Sequence, residues 1–317
     1  MKPPGAAGVH VTMRFMTTFF QIRCRPLMLL ALALLTATLA ACSATRLAYS
    51  QLDWLIPRQL GDYVTLDSTQ RAWLDARLQD HLAWHCRTQL PAYADWLGTL
   101  RAELNGAPPD PERLRDHVRK LETFIDALLG EIAPTAAELA VRLDERQRDE
   151  LFARLDRRLN KDRAKYLDRP PDQRRSERAE RLEGRLRYWV GELTPEQTER
   201  IRQWSAALPD QNAAGWLENR QRLQASARDS LAELDQTDAR LRLTRLFEAP
   251  VAVHTTAYQR QFEQTRDQAV ALTADLLRLA TDRQRARLDR RLGGLATDFQ
   301  KIRCTKEAVA VLSPESG

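Results

Sequence analysis

The chain has 317 residues, with 49 Lys+Arg against 43 Asp+Glu and a formal net charge of +6. Such a balance invites a nucleic-acid partner, but Lys2, Arg14, Arg23 and Arg25 all fall in the first 41 residues, which hold no acid, leaving 45 basic and 43 acidic residues in the remainder. A nearly neutral remainder has no electrostatic footprint for nucleic acid, and its length suits one large or two modest domains.

The first 41 residues read as a secretory leader. Arg23 and Arg25 form a basic stretch ahead of the apolar run Pro26 to Ala41, "PLMLLALALLTATLAA". That run is short for a membrane span, which needs about 20 residues, and suits an export signal. Met13 and Met16 are alternative starts that would give a leader of ordinary length. Leu39-Ala40-Ala41-Cys42 closes the run and resembles the bacterial lipobox. The resemblance implies cleavage after Ala41 and lipidation of Cys42, with residues 42–46 as a tether. Two or more acyl chains suffice for stable anchoring without a spanning helix. Ser43 stands where Asp is the retention signal for the inner membrane, so the resemblance implies the periplasmic face of the outer membrane.

Cysteine arithmetic follows from export. Cys24 leaves with the leader and Cys42 takes lipid, so Cys86 and Cys304 remain, either as one disulfide or as two buried thiols. The disulfide is the favoured reading.

Beyond residue 46 the composition of Leu, Arg, Ala, Glu and Gln favours helix, and no run alternates with the period of a strand. The expected fold is all-α, a bundle or array of about nine to eleven helices with no sheet. Taking prolines as boundaries places helices near 47–60, 67–89, 91–105, 111–129, 134–167, 171–191, 194–207, 209–235, 238–248, 250–279 and 282–302. The helical domain then spans 47–304, followed by a tail from 305 to 317. Leu143, Leu151, Leu155 and Leu159 share a face, as do Leu182, Leu186, Trp189 and Val190. The seven tryptophans, at 54, 73, 84, 96, 189, 204 and 216, read as core. Gly293-Gly294 reads as a helix break.

A start signal recurs four times. Asp67-Ser68-Thr69-Gln70, Asp144-Glu145-Arg146-Gln147, Thr194-Pro195-Glu196-Gln197 and Thr281-Asp282-Arg283-Gln284 each have an N-cap residue three positions before Gln. In a capping box the N-cap side chain accepts from the N3 amide, and the N3 side chain reaches back to the N-cap amide. The copies read either as duplicated helix units or as convergent caps. Strong helix formers flank the copy at 144, so there the cap competes with a continuous helix.

Two family resemblances follow. "LDWLIPRQLGDYVTLDSTQRAWLDARLQDHLAWHCRTQLPAYADWL", residues 52 to 97, resembles an uncharacterised family of Gram-negative lipoproteins defined only by a domain of unknown function. It implies no activity. Leu193-Thr194-Pro195-Glu196-Gln197 resembles the Leu-Thr-x-x-Gln motif of the periplasmic Spy/CpxP chaperones, which hold unfolded clients without ATP.

Catalytic signals are weak. His81, His85 and Cys86 lie on one expected helix at a spacing that could hold a metal, but packing or hydrogen-bonding histidines are the plainer reading. His117 and His254 stand alone. Neither a Gly-x-Ser-x-Gly elbow nor a Gly-rich phosphate loop occurs. The expectation is a protein with no catalytic residue, cofactor or metal. Residues 139–188 hold 14 Arg and 2 Lys against 11 acids. This segment reads as a solvated helical hairpin, or as an arm on which Arg157, Arg158, Arg174 and Arg175 contact anionic lipid or an unfolded client. The expected role is a non-enzymatic binding or scaffold lipoprotein, with holdase activity as its concrete form. The alternative is an accessory subunit of an envelope enzyme or assembly complex, or an enzyme whose site the sequence does not reveal.

Overall fold

The computed structural model describes residues 44–106, 110–233 and 235–304. The leader, Ala41, Cys42 and the tail lie outside the described residues. The chain divides into two units, Met1–Tyr49 and Ser50–Gly317. Of the first, only the short helix Ala44–Tyr49 is described.

The second unit is all-α, as expected, with no strand among the described residues. Its helices are α1 Leu52–Gly61, α2 Ser68–Trp84, α3 Leu90–Leu104, α4 Pro111–Val141, α5 Glu145–Tyr166, α6 Pro171–Val190, α7 Pro195–Ala207, α8 Asn212–Glu233, α9 Gln236–Glu248, α10 Thr256–Arg278 and α11 Asp282–Lys301. A π turn, His85–Gln89, joins α2 to α3, and a 3₁₀ turn, Pro250–Val253, precedes α10.

Three departures from the sequence reading have local causes. Pro134 does not divide a helix. It lies inside the 31-residue α4, flanked by Ala133 and Ala137, both fully buried, and α4 packs on α9. Packing offsets the lost backbone hydrogen bond of an interior proline. The break falls instead at Arg142–Leu143, because Asp144 caps α5. Pro91 likewise does not separate α2 from α3. The chain widens into the π turn, where Leu90 N–H donates to the His85 carbonyl, and the helical path continues through the proline. Gly293 and Gly294 do not break α11; they lie within it.

The π turn carries Cys86, almost fully buried, to Cys304 just beyond α11, with Cα atoms 5.5 Å apart and the two cysteines disulfide-bonded. The bond closes a span of 218 residues and ties the two ends of the unit together.

Three apolar clusters hold the array. Ala137, Val141, Phe152, Leu231, Ala239, Leu243 and Leu246 join α4, α5, α8 and α9. Leu114, Val270 and Ala274 join α4 to α10. Ala179, Ile201 and Leu272 join α6, α7 and α10. Helix α10 therefore belongs to two cores. The tryptophans are less deeply placed than expected: none is fully buried, and Trp54 is exposed.

Candidate functional site

All four recurrent start signals form complete capping boxes, including the one at 144. Their glutamines also meet in pairs. At the N-termini of α2 and α5, Gln70 Nε2 donates to Gln147 Oε1 (2.9 Å) and Gln147 Nε2 donates back to Gln70 Oε1 (2.7 Å). Each amide donates its second proton to a carbonyl ahead of the other helix, Gln70 to Arg142 and Gln147 to Thr65, both at 2.9 Å. Each Oε1 also accepts its own N-cap amide, from Asp67 and Asp144. An amide side chain has two donors and two acceptor sites, and here all four are used.

The N-termini of α7 and α11 repeat the arrangement. Gln197 Nε2 donates to Gln284 Oε1 (3.1 Å), and Gln284 Nε2 donates to Gln197 Oε1 (2.9 Å). Gln284 reaches the Glu192 carbonyl at 2.7 Å, whereas Gln197 reaches the Leu276 carbonyl only at 3.4 Å. All four glutamines are buried. Gly191 makes the second pair reachable. Its φ of 89° ends α6 in a conformation that costs a non-glycine residue strain, and it turns the chain toward Thr194.

The second pair borders a cavity of about 190 Å³, lined by Gln197, Gln284, the polar Arg101, Asn105, Arg285 and Asp289, and apolar side chains of α3, α6, α10 and α11. Leu104, Trp189, Thr273, Leu277, Leu288 and Leu292 are shared with a larger groove of about 510 Å³ between α3, α4, α10 and α11. The groove wall is leucine-rich because each helix turns one stripe inward: Leu97, Leu100 and Leu104 on α3, Leu114, Val118 and Leu121 on α4, and Leu288, Leu292 and Leu295 on α11. Leu121 is 40 % exposed, and Ile125, one turn further along α4, is 56 % exposed. Neither Gln70 nor Gln147 lines any of the described cavities.

Polar groups sit at the rim. Arg101 grips Asp289 with two hydrogen bonds (3.0 and 2.9 Å), and Asn105 donates a third at 2.9 Å. The Arg101 hydrogen bonds, then that of Asn105, hold the Asp289 carboxyl below the usual carboxylate range. Gly293 is what lets Arg101 lie across α11: a Cβ there would sit 2.7 Å from the guanidinium carbon. Trp96 Nε1 donates to His117 Nδ1 (3.1 Å), which leaves Nε2 to donate to Glu103 (3.1 Å). Arg266 pairs with Glu122 at 3.2 Å. The ionisable groups on the groove wall are thus already engaged, and the space between them offers apolar contact.

The sequence-based candidates fall elsewhere. His81 contacts Glu131 and Thr135, at 2.9 and 2.8 Å. His85 stacks edge-on against Tyr93, and burial pushes its pKa down. His254 stacks on Tyr258, with its pKa lowered in the same way. Cys86 is in the disulfide, so these residues do not converge on one site. Arg157 and Arg158 are exposed on α5; Arg158 lies 3.9 Å from Asp162. Arg174 and Arg175 are half-buried on α6, and Arg175 is bound to Asp210 at 2.6 Å. The arginine-rich segment is not one arm: α5 packs on α8, while α6 packs on α7 and α11. The groove itself had no sequence signal beyond its stripes, since it forms only where four separated helices meet.

Fold and groove define an all-α helical array with an apolar cleft between its helices. The chain belongs to DUF6279, a family of unknown function, whose model matches residues 62–260. The match includes Gln70, Gln147 and Gln197 and ends before Gln284, α11 and most of α10. No curated protein and no solved structure matches the chain.

Proposed function

We propose that this protein is a lipid-anchored, non-enzymatic binding protein on the periplasmic face of the outer membrane, and that its groove holds an apolar segment of another polypeptide, as a holdase or scaffold. The observation that carries the reading is the leucine-lined groove, open along α4 and continued there by the exposed Leu121 and Ile125. The Cys86–Cys304 bond supports an oxidising compartment, and the Leu39-Ala40-Ala41-Cys42 stretch supports the anchor. The Leu-Thr-x-x-Gln likeness to ATP-independent chaperones agrees with a role that needs no nucleotide.

The test uses the full chain. It should slow aggregation of an acidic, unfolding-prone client, and Ala269→Trp, which fills the groove from α10, should abolish that effect with the helical content retained. Equal aggregation with and without a molar excess of the protein, across several clients, would sink the holdase reading. Cys42→Ser should abolish palmitate labelling; continued labelling would overturn the anchor.

A further inference from the structure

A second pocket, of about 420 Å³, lies away from the groove, among the C-terminal end of α5, the first half of α6, the end of α7 and the start of α8. Its lining differs in kind. Arg174, Arg178 and Arg181 recur at helical spacing on one face of α6, and Lys165 faces them from α5. Three aromatic side chains, Tyr166, Trp204 and Trp216, complete the wall.

The charges here do not balance. The pocket's two carboxylates are already engaged, Glu177 by Arg169 and Arg181 and Asp210 by Arg175. Arg178 makes hydrogen bonds only to neutral Ser205, at Oγ and at the carbonyl oxygen, both 3.0 Å. Arg174 has a single long contact, 3.4 Å, to the Asp210 carbonyl oxygen. Burial pushes the pKa of Arg178 down, Asp210 opposes this, and Arg174, Arg175 and Arg181 push it down further. Two guanidinium groups thus share a half-buried space with no carboxylate of their own.

Polar atoms are also left over. Seven buried side-chain polar atoms among the described residues have no hydrogen-bond partner, and three of them, Arg174 Nε, Trp204 Nε1 and Asn212 Oδ1, belong to this pocket's lining. Asn212 Oδ1 is an acceptor, but Arg174 Nε and Trp204 Nε1 are donors, and buried donors are normally satisfied, so two unused ones beside guanidinium groups with no carboxylate of their own point to a missing acceptor.

We propose that this pocket binds a phosphoryl anion, with the Arg174 and Arg178 guanidinium groups and Trp204 Nε1 as its donors and the aromatic wall against the body that carries it. The guanidinium fork matches phosphate oxygens in pairs, and an anion with acceptors on several sides can meet donors from both α6 and α7. A neutral apolar ligand would leave these donors and charges as they are. The site is independent of the apolar groove and of the reading built on it.

Calorimetry on the full chain tests the site with two probes: phenyl phosphate, for a soluble organic phosphate, and glycerophosphoglycerol, for a lipid headgroup. The tighter of the two assigns the source of the phosphoryl group. Arg174→Gln should weaken the better probe about 10-fold or more, the range of a charge-assisted hydrogen bond. Trp204→Phe, which keeps the packing and removes one donor, should weaken it several-fold. Arg157→Gln, on the exposed face of α5, should leave it unchanged. Arg178 also holds Ser205, so Arg174 and Trp204 carry the test. No measurable binding of either probe would overturn the proposal, as would binding that Arg174→Gln and Trp204→Phe leave intact or that sulfate matches.

Discussion

The two glutamine pairs have the same bonding but different surroundings. Gln70 and Gln147 join α2 and α5 with two near-equivalent reaches to carbonyls at 2.9 Å, and no described cavity borders them. Gln197 and Gln284 join α7 and α11 with unequal reaches, 3.4 and 2.7 Å, beside a cavity. One pair borders none of the described cavities; the other lies beside one whose mostly apolar wall also carries Arg101, Asn105, Arg285 and Asp289. The same local chemistry thus serves two ends, and the difference lies in what packs around it. The first corner sits within the family match, whereas Gln284 and the α11 wall of the groove lie beyond it.

The largest test separates the two corners by untying them. The Cys86–Cys304 bond anchors α11, which carries Gln284, and closes a span of 218 residues. In the chain-entropy picture a loop of that length is worth about 5 kcal/mol. Cys304→Ser should lower the unfolding free energy in denaturant titrations by an amount approaching that figure. It should also speed amide exchange at the start of α11 more than at the start of α5. Uniform acceleration at both corners would show that the bond does not favour one of them.

Gln147→Ala comes next. It removes the return half of a capping box and leaves the Asp144 N–H, Gln70 and the Thr65 carbonyl short of partners away from the described cavities, at an expected cost of about 3 kcal/mol. Gln197→Ala removes the same set of interactions beside a cavity that can admit water, so its cost should be about 1.5 kcal/mol. Equal losses in thermal or denaturant melts would refute the distinction between the two corners.

The smallest effect concerns the groove rim. Asp289 is held below the usual carboxylate range by Arg101 and then Asn105. A depressed folded-state pKa stabilises the fold above the unfolded-state value, and this stabilisation is lost as pH falls toward the folded-state one. Asp289→Asn should therefore flatten the acid limb of the stability profile slightly. An unchanged acid limb would show that the rim pair is energetically idle.

Much of the fold was legible in the sequence because its signals are local. Capping residues three positions from glutamine mark the helix starts at 67, 194 and 281, and the composition favours helix; the fourth copy, at 144, was read as lying inside a helix over 134–167, where the structure starts a new one. Prolines misled where they were treated as boundaries. Pro134 and Pro91 sit in continuous helical paths, one secured by α4 packing on α9 and the other by a π turn. Gly293-Gly294 misled for a related reason: α11 packs along α3, and Gly293 makes room for Arg101. The groove and the cationic pocket were not legible: the groove draws its wall from helices far apart in the chain, and the pocket forms only where the ends of α5 and α7 meet α6 and the start of α8. Trp189, Trp204 and Trp216 read as core from their stripes, yet each lines a cavity. A stripe says which face turns inward, not whether the neighbours fill the space.

By itself, then, the sequence determined the helical class, three of the four capped starts, Cys86 and Cys304 as a candidate pair and the absence of a recognisable catalytic motif. Each of these depends on residues within one turn of helix or on simple counting. Tertiary structure decided that the caps pair through their glutamines, that one pair borders none of the described cavities and the other lies beside one, and that Arg174 and Arg178 share a pocket without carboxylates of their own. Those outcomes depend on which helix ends meet and how completely side chains from distant segments fill the space between them, and no local pattern encodes that.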